Sequence, residues 1–87
     1  DVYELDGVTI RLFPNPTRGL VFIEKDLGVP LDLKVLDMSG KLIYQQSLGI
    51  QSKTEVDLGN YPPGNYYLEL QNPNTQSKIF EKIVKID

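Results

Sequence analysis

The 87-residue chain contains no cysteine, no histidine and no tryptophan, and only one methionine. Without cysteine, no disulfide can staple the fold and no thiolate can attack a substrate or hold a soft metal. That absence leaves the redox compartment open. Without histidine, the chain lacks the usual general base at neutral pH and the commonest metal ligand. Nine Lys and Arg residues are scattered among twelve Asp and Glu, for a net charge of −3. A basic stripe of the kind that nucleic acid or an anionic membrane requires is therefore missing. Apolar runs extend only a few residues, far short of the roughly 20 that span a bilayer as a helix. A length of 87 residues allows one domain with one core and little stability to spare. The chain begins at Asp1 without a charged-then-apolar leader, which reads as a piece of a longer protein.

What is present alternates with a period of two. Val8, Ile10 and Leu12 alternate with Thr9 and Arg11, and Leu20 to Glu24 forms a second short apolar run. Leu31, Leu33 and Val35 alternate with Asp32 and Lys34, and Leu42 and Tyr44 oppose Ile43. Thr54, Val56 and Leu58 alternate with Glu55 and Asp57, and Tyr66, Leu68 and Leu70 with Tyr67 and Glu69. The last stretch sets Ile79 and Ile83 on one face, with Phe80, Val84 and Ile86 on the other. These seven segments are candidate strands. Asp37-Met38-Ser39-Gly40 reads as a tight hairpin turn with glycine supplying the positive φ. Asn60-Tyr61-Pro62-Pro63-Gly64 stops one strand and launches another, because prolines lack the amide donors of a ladder. Asn72-Pro73-Asn74 is a further turn. The pattern predicts an all-β, immunoglobulin-like antiparallel β-sandwich of about seven strands over residues 8–87, with residues 1–7 as the end of a linker.

Phe13-Pro14-Asn15-Pro16-Thr17-Arg18-Gly19 is a rigid corner after the first of these strands. Proline fixes its own φ and pushes the residue before it toward extended backbone, while Gly19 lets the chain turn before pairing resumes. The corner reads as a stiff crossover between sheets; the alternative is a recognition surface presented by Asn15 and Arg18.

Site chemistry is thin. Asp6, Asp37 and Asp57 have no accompanying base or nucleophile. Ser39-Gly40-Lys41 lacks the glycine spacing and residue order of a phosphate loop. A calcium site from Asp57, Asn60 and nearby carbonyls lacks the spaced acids of an EF-hand loop. Tyr61, Tyr66 and Tyr67 could form a sugar-stacking platform, with Tyr61 and Tyr67 as the exposed pair, although core and turn packing account for most of them. The expectation is a non-enzyme without cofactor or metal.

Four blocks in order, "FPNPTRG", "LKVLDMSGKLIYQQ", "VDLGNYPPGNYYLEL" and "KIFEKIVKI", resemble the C-terminal sorting domain (type A) of proteins exported by the type IX secretion system of Bacteroidetes. The resemblance runs from about Leu12 to Ile86. On this similarity the family's first block falls on Pro14, Asn15, Pro16 and Gly19. Its hairpin block falls on Val35, Asp37, Ser39, Gly40 and Leu42. The Leu-Pro-small-Gly-any-Tyr block falls on Tyr61 to Tyr66, including Gly64 and Tyr66, with Tyr61 and Pro63 departing from the pattern. The closing block falls on Lys82, Ile83, Val84 and Lys85.

The resemblance implies a signal that the outer-membrane translocon selects through the folded domain. The attached upstream cargo would cross the periplasm and reach the cell surface or the medium. In many such proteins a surface sortase-type peptidase removes the domain, which here implies a cut near or upstream of Val8. The terminal strand, with Lys78, Lys82 and Lys85, would lie at a sheet edge and offer its backbone and lysines to a receptor by strand addition. Its lysines could equally be ordinary guards against edge-to-edge aggregation. An accessory carbohydrate-binding or adhesion module is the alternative function, since a fold alone does not fix one.

Overall fold

The computed structural model describes residues 1–87 and contains eight strands and no helix. They are β1 (Val2–Leu5), β2 (Val8–Phe13), β3 (Leu20–Lys25), β4 (Leu31–Leu36), β5 (Leu42–Leu48), β6 (Lys53–Asp57), β7 (Gly64–Gln71) and β8 (Lys78–Lys85). One four-stranded sheet has the order β1-β2-β3-β6 and the other β5-β4-β7-β8, with every strand pair antiparallel. The predicted sandwich is therefore present, and the seven expected strands all form.

The eighth strand is β1, in the segment expected to be linker. Val2 to Leu5 pair with Arg11 to Val8, joined by a two-residue turn in which Asp6 has φ 50° and Gly7 φ 81°. Positive φ at both turn residues matches the right-handed twist of the flanking strands, and Asp-Gly adopts it at little cost. Four residues are too few for alternation to register, so the segment lacks a visible strand pattern. The Asp6-Gly7 pair was the available signal.

Alternation becomes burial once the sheets face each other. Val8, Ile10, Leu12, Val21, Ile23 and Val56 point inward from the first sheet, and Leu31, Leu33, Val35, Leu48, Leu68, Leu70 and Ile83 from the second. All belong to one core of 16 buried apolar residues. Two lysines are buried as well, one at each end of the sandwich. Lys25 Nζ donates to the carbonyls of Val29 (2.8 Å) and Gly49 (2.5 Å), pinning two loops together. Burial lowers its pKa, because removing water disfavours the charged form. Lys85 occupies the other end.

The open side between β1 and β8 is closed by polar contact. Tyr3 reaches from β1 and donates its hydroxyl to Glu81 Oε1 at 2.6 Å. Burial, the hydrogen bond to Glu81 and the carboxylate's negative charge push the Tyr3 pKa up to about 12. The neutral phenol is thus favoured in the fold, and the stability it carries is present below pH 10 and lost as pH rises toward about 12. Between about pH 9 and about pH 11.5 the urea midpoint of the native chain should fall more steeply than that of Tyr3→Phe. Parallel pH profiles for the two proteins would contradict the assignment.

Candidate functional site

The proline corner explains itself against β8. Both X-Pro bonds, Phe13-Pro14 and Asn15-Pro16, are cis. Prolines have no amide to offer a strand, and Asn15 supplies the missing groups from its side chain. Asn15 Nδ2 donates to the Lys82 carbonyl at 2.7 Å, and Asn15 Oδ1 accepts from the Val84 amide at 2.9 Å. Thr17 continues with backbone groups: its amide donates to Val84 O and its carbonyl accepts from Ile86 N, both at 2.9 Å, as a parallel bridge. A carboxamide and one threonine thus stand in for a ninth strand along the outer edge of β8.

Local contacts hold the corner in that position. The buried Thr17 donates its hydroxyl to Leu20 O at 2.6 Å and accepts from Gly19 N at 3.0 Å. Gly19 has φ 155°, and a Cβ there would lie 3.2 Å from Gly59 Cα, so a side chain would push two turns apart. Arg18 meets Asp87 at 3.0 Å in an exposed pair, of a kind that contributes little to stability. Beside the corner lies a groove of about 520 Å³ floored by Leu20, Phe22 and Ile86.

The hairpin block behaves in the same self-contained way. Asp37 Oδ1 accepts from Ser39 Oγ (2.6 Å), Ser39 N (2.9 Å) and Lys41 N (3.0 Å). Gly40, with φ 84°, closes the turn by donating to Asp37 O at 3.0 Å. The Ser39 hydroxyl and then the Lys41 amide hold the Asp37 carboxyl below its ordinary pKa. This aspartate shapes its own turn.

Across a groove of about 350 Å³ the hairpin faces the Tyr61-Pro62-Pro63-Gly64 loop. Tyr66 donates to Pro62 O, Tyr61 donates to Ile43 O at 2.9 Å, and the two rings meet edge to face at 6.3 Å. Burial raises the Tyr66 pKa, and the Asp37 charge adds to it. Tyr66 is buried and Tyr61 half-buried; of these three tyrosines only Tyr67 is exposed. The expected exposed pair of Tyr61 and Tyr67 is therefore corrected, because the Tyr61 ring packs on Tyr66 and its hydroxyl is bonded. No stacking platform results.

The terminal block joins these pieces. β8 is an edge strand, as expected, with Ile83 in the core and Glu81 and Lys85 buried on the same face. Gly64 pairs with Lys85 and Asn65 with Val84. Lys85 Nζ donates to the carbonyls of Tyr61 (2.7 Å) and Asp87 (2.8 Å). Of the backbone and lysines expected to be offered to a receptor, the Lys82–Ile86 stretch of the edge and Lys85 are already engaged within the fold. Lys85 is consumed inside the fold, Lys78 sits 3.5 Å from Glu69 and over the Phe80 ring, and the corner covers the edge from Lys82 to Ile86. Lys82 is the terminal-block lysine left exposed.

Pro14, Asn15, Pro16 and Gly19 thus adjoin Lys82, Ile83, Val84 and Lys85, which pair with the segment carrying Gly64 and Tyr66; Asp37 and Gly40 stand across the groove. Thr17 and Glu81 were missed. Glu81 shares the period-two face of Ile83 and Lys85, which could have flagged it, whereas Thr17 has no local signal. Asp57 is turned onto the Gly59 amide at 2.7 Å, and no group of three or more acidic residues gathers anywhere in the fold.

A model of the family described as "Secretion system C-terminal sorting domain" matches residues 11–86. No curated protein matches the chain. Among solved structures, a DUF3244 family protein from Bacteroides vulgatus, with an immunoglobulin-like β-sandwich fold, superposes with a TM-score of 0.80 at 17% identity. The match covers 99% of this chain and 92% of that one, and at such identity it speaks to fold alone.

Two outcomes follow from the geometry. Asn15→Ala should lower unfolding stability by about 1–2 kcal/mol through the lost hydrogen bonds to Lys82 O, Val84 N and, at 3.3 Å, Glu81 Oε2, read from urea denaturation; an unchanged midpoint would mean the corner does not hold β8. Because the folded pKa of Asp37 is depressed, its contribution is present above the ordinary value of 3.8 and lost as pH falls through the lowered one. Asp37→Ala should therefore show a weaker acid dependence of stability than the native chain below about pH 4, and equal slopes would refute the turn's dependence on this carboxylate.

Proposed function

Because the chain belongs to the secretion-system C-terminal sorting domain family, we propose that the type IX translocon reads it as a folded export signal, by surface contact with one end of the sandwich. The observation that supports this reading is the convergence of blocks far apart in sequence. Asn15 bonds Lys82 and Val84, Lys85 bonds Tyr61, and Tyr66 packs beside the hairpin of Asp37. A linear tag would have no reason to spend its residues on one another, whereas a shape must.

That end exposes Arg18, Lys41, Pro62 and Pro63, and two further side chains that make no hydrogen bond or ion pair are the proposed contacts. Lys82 is exposed, and Met38, on the hairpin rim of the groove, is 69% exposed. Pro14, Asn15, Pro16, Gly19, Asp37, Gly40, Gly64, Tyr66, Ile83, Val84 and Lys85 serve the proposed signal by building the surface rather than by reaching out from it. A cargo domain attached upstream would travel with the signal through the periplasm to the cell surface or the medium. A sortase-type peptidase would then remove the domain, making this chain a substrate rather than a catalyst. A peptidase needs extended chain in its cleft, and Val2–Leu5 is held in a ladder, so the cut that suits the fold lies before β1. A glycan-binding role has no support from Tyr61, Tyr66 and Tyr67, which form no platform.

The test is a fluorescent reporter carrying an N-terminal export signal and this chain at its C-terminus, expressed with and without a working type IX translocon. Translocon-dependent appearance at the surface is expected, and Lys82→Glu combined with Met38→Glu should reduce it about tenfold or more while thermal stability is retained. A folded fusion kept in the periplasm of both strains would sink the sorting reading. Unchanged export of the double variant would sink the proposed contact end.

A further inference from the structure

We infer that β5 is a docking edge for a second copy of this chain. The sandwich has four edge strands, β1, β6, β5 and β8. Exposed edges in natural sheets are blunted by charge, proline, brevity or cover, because unpaired backbone groups template association. β6 carries Lys53, Glu55 and Asp57, and β1 has only four residues, Glu4 among them. β8 carries three lysines and is half covered by the proline corner. β5, Leu42-Ile43-Tyr44-Gln45-Gln46-Ser47-Leu48, is seven residues long with neither a charge nor a proline.

Its backbone groups are correspondingly open. Val84 gives both its amide and its carbonyl to the corner, which fixes which residues point outward across the whole sheet, since bonding alternates along antiparallel strands. Carried through the registers of β8, β7 and β4, the alternation turns Tyr44, Gln46 and Leu48 toward β4. Gln45 and Ser47 then face outward with both groups unpaired, and the Tyr61 hydroxyl covers only the Ile43 carbonyl next to the bulge.

A second, independent feature brackets this strand. Two of the most exposed large apolar side chains, Met38 (69%) and Ile50 (81%), lie just before and just after it. Leu42 is exposed at the Met38 end, and Leu27 at the Ile50 end, where Ile50 rests on Gly28. One occupant suits both ends at once. If two copies pair antiparallel about a two-fold at Gln46, each Gln45 meets the other copy's Ser47, giving backbone bonds between outward-facing groups. The same register sets Leu42 opposite Ile50 and Tyr44 opposite Leu48, so each apolar end covers the other. Lys41 falls opposite the neutral Gln51. Two chains of net charge −3 can thus meet along this edge with no like charges opposed, which the charged edges of β6 and β8 do not offer.

The test is independent of export. Sedimentation equilibrium of the 87-residue chain should show the 9.9 kDa monomer mass doubling with concentration. Ser47→Lys and Ile50→Lys, both at exposed positions, should each abolish the doubling, and Phe80→Lys on β8 should leave it. A residue on the two-fold that bonds inward sits in a non-hydrogen-bonded pair, with Cα atoms about 4.5 Å apart, within disulfide reach. In this cysteine-free chain, Gln46→Cys should therefore cross-link to a dimer under mild oxidation, while Phe80→Cys should not. Monomer mass at every concentration up to about 1 mM, association indifferent to Ile50→Lys, or equal cross-linking at Phe80→Cys would each overturn the inference.

Discussion

The closure of the outer edge of β8 is the constraint from which the rest of this fold's logic follows. A sandwich of two four-stranded sheets leaves edges, and β8 is one of them. Here the cover comes from near the start of the chain, delivered by a corner whose prolines cannot pair. Asn15 solves the problem with a carboxamide, whose nitrogen donates to Lys82 O and whose oxygen accepts from Val84 N as a peptide group's would. Thr17 and the tight approach at Gly19 keep that carboxamide in register. The corner's rigidity is therefore spent on long-range pairing more than on the crossover itself.

The same clasp gives the sorting-domain signature a physical meaning. Its blocks read separately as a turn, a hairpin, a loop and a lysine-rich tail, yet the corner bonds the tail, the tail bonds the Tyr61 loop, and that loop bonds the hairpin strand at Ile43. Lys85 is the clearest case: among neighbouring lysines it looks like part of a basic tail, but its ammonium is buried against the carbonyls of Tyr61 and Asp87. Burying a charge is costly unless hydrogen bonds compensate, so this lysine carries a strong demand for a formed Tyr61-Pro62-Pro63-Gly64 loop. On the proposed reading, a receptor for such an end would test whether the exported domain has folded. The uncharged β5 edge lies on the opposite flank of the same sheet, separated from β8 by β4 and β7.

Much of the architecture was legible from alternation alone, because strands such as Val8–Phe13 and Leu31–Leu36 bury every second residue. β1 was not, since four residues carry too little pattern and only Asp6-Gly7 announced it. The partners in the site were legible unevenly. Glu81 and Lys85 share a period-two face with Ile83, so their burial follows from register once β8 is a strand. The bonds from Asn15 to Lys82 and Val84 join segments far apart in sequence, and no local propensity encodes them. Tyr61 illustrates the remaining gap: a loop tyrosine flanked by proline reads as exposed until Tyr66 and Ile43 are placed beside it.

The most direct test of this account is native-state hydrogen exchange at single amides along β8. Phe80 and Val84 have the same orientation on the outer edge, but only Val84 is met by the corner. The account predicts strong protection of the Val84 and Ile86 amides, fast exchange at Phe80, and selective loss of protection at Val84 in Asn15→Ala while Ile83 stays protected. Val84 exchanging as fast as Phe80 in the native chain would contradict it.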